Sequence, residues 1–247
     1  EVNRSRTLYV PYMSVKQKGK SDNESANASM SVRTGRECFR ALSMPEAVTL
    51  ASGVYRVRAS VPSGSKATAD MVQTDEAFWT IFSFHFLSGA AFTKADCDAG
   101  LTRAVLDATT ARKLFGTTDA VGRTVQLDYV DYTVAGVVAD VSMLATAAYA
   151  QIWVPYTAAG ADAMSWRDDT MGPMHAIILA RSSADFDAIR EETELLRKKY
   201  NDGLQDVEVF YRGQPDTQLA YLYRRWYAEP DVPGVMLRYA IVVIILL

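Results

Sequence analysis

A strand–helix–strand pattern in the last third of the chain constrains the fold most strongly. Residues 174–181 are predicted to be an apolar strand, residues 182–200 form the clearest helix of the sequence, and residues 207–212 read as a further strand. The apolar residues of the helix recur at helical spacing: Phe186, Ile189, Leu196 and Tyr200. The order of these elements predicts a βαβ unit.

The first third of the chain shows the same order. Residues 7–15 are predicted to form a strand, residues 43–53 a helix with a capping box at Ser43 and Glu46, and residues 54–61 an alternating strand. Two such halves make a split βαβ, ferredoxin-like unit, so we predict an α+β fold. The domain prediction is a porter-type lobe from residues 1–72 and 172–232, with an inserted smaller α+β lobe at residues 73–171.

Composition excludes some classes of function. Apolar residues make up 49% and charged residues 22% of the 247 residues, which is ordinary for a globular protein. The net charge of −3 gives no indication of a nucleic-acid partner. Cys38 and Cys97 have no metal-ligand spacing and are interpreted either as a disulfide or as two free thiols. Two histidines in the whole chain argue against a zinc site.

Both ends of the sequence suggest a piece of a longer protein. The chain begins at Glu1 without a methionine, and residues 239–247 form an apolar run that is too short to cross a bilayer. We predict that residues 233–247 are the start of a transmembrane helix. The alternative is a buried C-terminal helix or strand.

Residues 114–127 resemble a phosphate-binding loop only superficially. Gly116 and Gly122 are separated by five residues instead of four, and Arg123 stands where the motif has lysine. A predicted helix at residues 107–115 precedes the glycines and a strand-rich hairpin follows them, whereas a phosphate loop follows a strand and opens a helix. Gly116 is therefore predicted to end a helix, and no nucleotide or other cofactor is expected.

Motifs of serine enzymes are incomplete. Ser63 and Lys66 form an S-x-x-K, but the S-D-N at residues 21–23 precedes it and no K-T-G exists. His85 and His175 are interpreted as structural histidines. The sequence therefore predicts no catalytic residues and no enzyme activity.

Two other clusters are interpreted as structural. Asp96 and Asp98 are spaced like part of a calcium loop, but the loop lacks its third acidic position and its closing glutamate, so no metal site is expected. The aromatic residues of the central block favour core packing over a ligand pocket. These are Phe78, Trp79, Phe82, Phe84 and Phe86.

Three motifs follow one another in the central block. The first, L-x-G-x-x-F-t-x-x-D after a phenylalanine in a short helix, is matched by Phe78, Leu87, Gly89, Phe92 and Asp96. The second, A-x-x-L-F-G-x-x-x-x-x-G, is matched by Ala111, Leu114, Phe115, Gly116 and Gly122. The third, a hairpin ending y-x-V-x-G-V-v-x-D, is matched by Tyr132, Val134, Gly136, Val137 and Asp140.

This order and spacing resembles the periplasmic core domain of MacB-like, FtsX-type ABC transporter permeases. One departure is Ala90, where the family usually has arginine. The resemblance implies structural roles for the matched residues, with Gly116 and Gly122 as turn glycines. It also implies a domain in the periplasm, held in the cell inner membrane between the first and second of four transmembrane helices.

The resemblance further implies a non-catalytic extracytoplasmic domain that transmits ATP-driven conformational change to a substrate or a periplasmic partner. The implied partners are a cytoplasmic ATPase subunit, reached through the membrane domain, and a second permease in a dimer. The positive charges of Arg224, Arg225 and Arg238 oppose this orientation, because positive residues favour the cytoplasmic side.

Such a domain is expected to act by moving as a body and not by catalysing a reaction. The predicted hinges are residues 62–64, the Gly172-Pro173 join and the segment around Gly234. Two other classes of function stay open at this point. One is the extracytoplasmic sensor domain of a membrane signalling protein, and the other is a membrane-anchored hydrolase.

Overall fold

The computed structural model describes residues 3–224 and Gly234. Strands β1 to β13 of these residues span Thr7–Val10, Met13–Gln17, Ala26–Ala28, Ala47–Ser52, Tyr55–Ser60, Lys66–Thr74, Phe86–Gly89, Arg103–Asp107, Thr124–Leu127, Val130–Val138, Ile152–Pro155, Met174–Leu179 and Val207–Phe210. Helices α1 to α6 span Val32–Gly35, Ala77–Ile81, Lys94–Asp98, Ala108–Phe115, Phe186–Asp202 and Gln218–Arg224. A π-helical turn at Arg36–Arg40 continues α1.

The middle of the chain forms a closed barrel. Its strands lie in the order β10-β8-β11-β6-β5-β9, and β9 pairs with β10 again to close the ring. Strand β7 pairs with β10 beyond the point where β9 ends. The β10–β8 and β11–β6 pairs are parallel, and the other pairs are antiparallel. Closure leaves few unpaired strand edges, and β-barrels avoid pairing with the edge strands of other chains in this way.

Alternation along the barrel strands produces two cores. Val57, Leu106 and Ile152 share the inner core with Ala111 and Leu114 of α4. The residues between them face outward into a second core, which contains Val72, Val105, Val138 and Trp153. Period-two alternation thus makes both faces of these strands apolar.

The flanks of the chain form two three-stranded antiparallel sheets. The first flanking sheet has the order β1-β12-β4, and the second has the order β13-β2-β3. In β12, Ala176 and Ile178 pack into a core that includes Ile189 of α5, while Ile177 and Leu179 pack against the barrel. A strand buried on both faces reads as a nearly continuous apolar run, which explains the segment at residues 174–181.

The predicted helix at residues 43–53 is wrong, because residues 47–52 form β4. Val48 and Leu50 enter the flanking core, and β4 pairs along its whole length with β12. The expected capping box does not form, since Ser43 donates to Glu192 instead and Glu46 pairs with Arg6. Burial in the sheet outweighs the local start signal.

The predicted split βαβ sheet differs from the observed pairing. The predicted strand at residues 7–15 is divided between β1 and β2 by Pro11 and Tyr12. Proline has no N–H for a ladder, and β1 then pairs with β12 while β2 pairs with β13. The strands of the two expected βαβ halves therefore lie in separate sheets of a mixed α/β fold.

The strand pairings also differ from the predicted boundary at residue 72. Strands β5 and β6 belong to the barrel, so residues 55–72 pair with the middle of the chain and not with the flanks. The passage between the flanking sheet and the barrel falls near Gly53, and the inserted part carries the larger sheet. The division into two lobes stays a prediction.

Several local predictions are confirmed. Helix α4 begins after Asp107, whose side chain caps it, and ends at Gly116 in the left-handed conformation with φ 75°. The hairpin is β9–β10, and α5 covers the predicted amphipathic helix. None of the described helices combines the length and apolar character needed to cross a membrane. The predicted transmembrane start at residues 233–247 lies, apart from Gly234, outside the described residues.

Candidate functional site

A buried carboxylate joins the first flanking sheet to the barrel. Asp75 follows β6 directly and is 1% exposed. Its Oδ1 accepts a hydrogen bond of 2.7 Å from the Thr49 hydroxyl, and its Oδ2 accepts one of 3.0 Å from the Leu50 N–H. Thr49 and Leu50 lie in β4, so one side chain of the barrel satisfies two donors of the flanking sheet.

Arg40 supplies the countercharge. Its Nη1 donates to Asp75 at 2.7 Å and its Nη2 donates to Glu76 at 3.0 Å. Burial raises the pKa of Asp75, and the charge of Arg40 with the Leu50 and Thr49 hydrogen bonds opposes that shift. The carboxylates of Asp75 and Glu76 thus lie beside one guanidinium, just after the C-terminal end of β6. We call this ion pair the Arg40–Asp75 junction, and it connects the end of the π-helical turn to the barrel.

An aromatic cluster begins in α2, directly after the junction in the chain. Phe78 of α2 is fully buried, stacks on Phe84 and has its ring centroid 5.6 Å from that of Trp79. Trp79 and Phe84 both meet Trp153 of β11 edge to face. The prediction that the aromatic cluster packs as core is confirmed, since these rings belong to the core between barrel and flanking sheet.

The motif glycines lie at two kinds of position. Gly89 of β7 is paired with Gly136 of β10, and both backbones approach too closely for a side chain. Gly116 and Gly122 are turn residues with φ 75° and 78°, and nothing lies within 4 Å of where their Cβ atoms would be. The four glycines therefore serve backbone geometry in different ways.

The other motif residues are mostly core or capping positions. Seven of them are buried: Phe78, Phe92, Ala111, Leu114, Tyr132, Val134 and Val137. Phe115 is partly buried under the Arg123 guanidinium, while Leu87 is exposed. Asp96 caps α3 together with Thr93, and Asp140 accepts from the N–H and hydroxyl of Thr109 at the start of α4. The roles of these residues in the working protein stay a prediction.

The candidate catalytic residues are not brought together. Ser63 and Lys66 lie at the turn between β5 and β6, whereas the S-D-N lies in a 3-10 turn between β2 and β3. His85 is exposed, and His175 lies in β12 with its Nε2 3.3 Å from the Ser29 hydroxyl. Asp98 pairs with Lys94 along α3. The S-x-x-K, the S-D-N and His85 are therefore not assembled into one site, and the serine in contact with His175 is Ser29, which belongs to none of these motifs.

The cysteines are two separate thiols. Cys38 belongs to the flanking core and Cys97 to the core between barrel and flanking sheet. Neither is bonded to another sulfur. Burial raises the pKa of each thiol to about 12. Protonated, buried thiols of this kind are poor nucleophiles.

The predicted hinge at residues 62–64 lies within a hairpin, and Arg224, whose charge opposes the implied orientation, is paired inside the fold. Residues 62–64 form the turn of the β5–β6 hairpin, with the Gly64 N–H donating to the Val61 carbonyl at 2.9 Å, so they do not connect barrel and flank. The Arg224 side chain is buried and forms a bidentate pair with Asp216. Arg225, Arg238 and the neighbours of Gly234 lie outside the described residues.

A cavity opens at one end of the barrel, facing the first flanking sheet. Its volume is about 620 Å³. Tyr55, Met71 and Leu127 line it from the barrel's inner core, and Pro173 and His175 line it from the flank. We call this space the barrel-mouth cavity.

Sequence reasoning missed Arg40, Gln73 and the partners of Asp75. Asp75 was visible only as an acidic residue near a helix start, and Arg40 lies in a segment without any motif. No local pattern signals a pair between a π-helical turn and the end of a strand 35 positions away, because the contact depends on how β4 packs against β6.

Comparison with known proteins gives one family and a consistent fold. The model of the MacB-like periplasmic core domain family matches residues 3–196. No curated protein sequence matches the chain. Several solved structures of low sequence identity, including the following three, are similar to it, and this similarity concerns the fold alone.

The extracellular domain of the noncanonic ABC-type transporter YknZ from Gram-positive bacteria is 14% identical, with a TM-score of 0.54 over 83% of this chain and 99% of that one. The periplasmic region of MacB from Actinobacillus actinomycetemcomitans is 17% identical, with a TM-score of 0.56 over 83% and 90%. A domain of a protein described as a permease from Porphyromonas gingivalis is 15% identical, with a TM-score of 0.59 over 89% and 97%.

Proposed function

This chain belongs to the MacB-like periplasmic core domain family of ABC transporters, and on that premise we propose that it transmits conformational change without catalysing a reaction. The change would start with ATP binding by a cytoplasmic ATPase subunit and reach the domain through the membrane part of a permease. The domain would then pass it to a substrate or a periplasmic partner. We place it on the periplasmic side of the cell inner membrane, in a permease dimer.

The observation that carries this proposal is the Arg40–Asp75 junction. A domain that transmits displacement needs its parts to move together, and a hydrogen-bonded ion pair with a buried carboxylate resists separation of the two parts that it joins. Asp75 has three partners in the flank at 2.7 to 3.0 Å. The adjoining aromatic core adds a close-packed contact over the same boundary.

The arrangement of side chains agrees with a non-catalytic role. The polar groups that are buried at the junction form hydrogen bonds with one another. The function of the domain would then depend on which surfaces it exposes in each state of the transporter. A partner that binds one state more tightly than the other would shift the equilibrium towards that state.

Distance measurements between spin labels would test this proposal in the full-length permease with its ATPase. Labels at Leu195 of α5 and at Leu144, between β10 and β11, report on the flank and the inserted part, and both side chains are exposed. We expect the Leu144–Leu195 distance within one protomer to stay constant with and without ATP. The Leu195–Leu195 distance between the two protomers of the dimer should change.

A nucleotide-independent distance between protomers would contradict the transmission role and would favour a sensor domain. The variant Arg40→Met provides the matched test of the junction. We expect it to broaden the Leu144–Leu195 distance distribution, while Arg56→Met, which removes an exposed ion pair on β5, leaves the distribution unchanged.

A further inference from the structure

The barrel-mouth cavity has the size of a small-molecule site. Its volume of about 620 Å³ lies in the range of small-molecule pockets. Two parts of the chain line it: β5, β6, β9 and β10 contribute one side, and the segments around Ser29 and His175 contribute the other. Cavities between such parts and at barrel mouths are frequent ligand positions.

Exposed apolar side chains converge at the opening of this cavity. Val54, Val130 and Met164 all line it, and they are 46%, 47% and 50% exposed. They come from three different segments: the β4–β5 connection, β10 and the loop after β11. Apolar side chains that are scattered singly need no explanation, but convergence on one cavity marks a surface that an apolar group can cover.

One residue that lines the cavity carries an unsatisfied polar atom. Gln73 of β6 is only 5% exposed, and its Nε2 donates to the Tyr55 hydroxyl at 2.6 Å. Its Oε1 is buried and has no hydrogen-bond partner among the described residues. A buried carbonyl without a donor is unfavourable, so this atom is suited to an incoming N–H or O–H group.

The charge of the lining disfavours an anionic ligand. Burial lowers the pKa of His175 to about 4, so the imidazole is neutral at neutral pH. No lysine or arginine lines the described part of the cavity, and the one carboxylate there, Asp128, accepts a hydrogen bond of 2.9 Å from the Arg58 N–H. An anion would find a carboxylate and no cation.

We propose that the barrel-mouth cavity binds a small uncharged molecule with an apolar body and one N–H or O–H group, which donates to Gln73 Oε1. The apolar body would rest on Met71, Leu127 and Val130, and it would cover the exposed rim at Val54 and Met164. This site does not depend on the proposed transmission of motion, and the protein could have either property without the other.

The test uses N-phenyl-1-naphthylamine, an uncharged probe with aromatic rings and one N–H group, and its analogue 1-phenylnaphthalene, which lacks the N–H. Fluorescence titration of the whole chain should show saturable binding of one probe per protein. Val130→Asp places a charge at the rim and should weaken binding at least about tenfold. Leu144→Asp, at a 92% exposed apolar position outside the cavity, is the matched control and should leave binding unchanged.

Gln73→Leu separates the hydrogen bond from the apolar contact. We expect it to weaken the amine about three- to tenfold and to leave 1-phenylnaphthalene unaffected, because leucine keeps the volume but accepts no hydrogen bond. Thermal unfolding of each variant establishes that it is folded before the titration is read.

Four results would overturn the proposal. Probe binding that does not saturate, or that Val130→Asp and Leu144→Asp weaken equally, would show non-specific adsorption. Equal losses for the amine and its analogue in Gln73→Leu would remove the polar contact. Probe binding that disappears as protein concentration rises would identify a second copy of the chain as the occupant.

Discussion

Gly89 and Gly136 face each other across β7 and β10, and neither position has room for a side chain. A Cβ atom at Gly89 would lie 2.2 Å from the Ala135 carbonyl oxygen, and one at Gly136 would lie 2.6 Å from the Ala90 carbonyl oxygen. Gly89 also has a φ of +65°, which favours glycine. The pair allows β7 to join β10 next to the irregular register between Val134 and Gly136.

Gly89→Ala should therefore destabilise the domain far more than Gly116→Ala. Gly116 has a similar φ of +75° but nothing within 4 Å of its Cβ position, so alanine there adds conformational strain of about 1 kcal/mol. The clash at Gly89 should raise the loss in unfolding free energy to about 3 kcal/mol or more. Urea denaturation of both variants measures the difference, and equal losses would mean that the strand pair adjusts at little cost.

Arg40→Met should destabilise the domain by about 3 kcal/mol, because it leaves the Asp75 carboxylate buried without its countercharge. Arg56→Met is the control, since Arg56 and Asp70 form a pair in which the arginine is largely exposed. That change should alter the unfolding free energy by less than about 1 kcal/mol. Chemical denaturation at neutral pH would check both values, and similar small losses would show that the junction adds little stability.

The stability of the domain should depend on pH through His175. Burial lowers its pKa from 6.5 to about 4 in the folded protein, so between these values the unfolded chain binds the additional proton. The stability from the neutral histidine is complete above pH 6.5 and is lost as the pH falls toward 4.

His175→Gln removes this titration and leaves the carboxylates, which titrate in both proteins. Between pH 7 and 4.5 we expect the wild type to lose about 2 kcal/mol more than the variant. Denaturation monitored by circular dichroism across this range provides the comparison. Parallel curves for the two proteins would place the histidine pKa near its ordinary value in the folded state.

Cys38 and Cys97 should not react with an aromatic disulfide reagent at pH 8 while the protein is folded. Both thiols are buried, and their pKa values of about 12 keep them protonated. In denaturant both should react, with the same yield whether or not a reductant was used first. A yield that rises after reduction would reveal a disulfide.

The sequence by itself determined the elements whose signals are local. Helix α5 follows from its own apolar periodicity, and α4 ends at Gly116 because no other residue adopts the left-handed conformation so readily. The hairpin β9–β10 follows from β-branched residues on both sides of a turn. Each of these signals lies within about twenty residues, so the local structure that it specifies does not depend on distant parts of the chain.

The tertiary structure decided everything that needs a distant partner. Residues 47–52 carry a helix start signal and yet form β4, because β12 offers a ladder more than a hundred positions away and both faces of the sheet can be buried. The closed barrel, the Arg40–Asp75 junction and the cavity at Gln73 depend likewise on which strands meet. The stabilisation from strand pairing arises between two segments, so the sequence of one segment alone does not specify its partner.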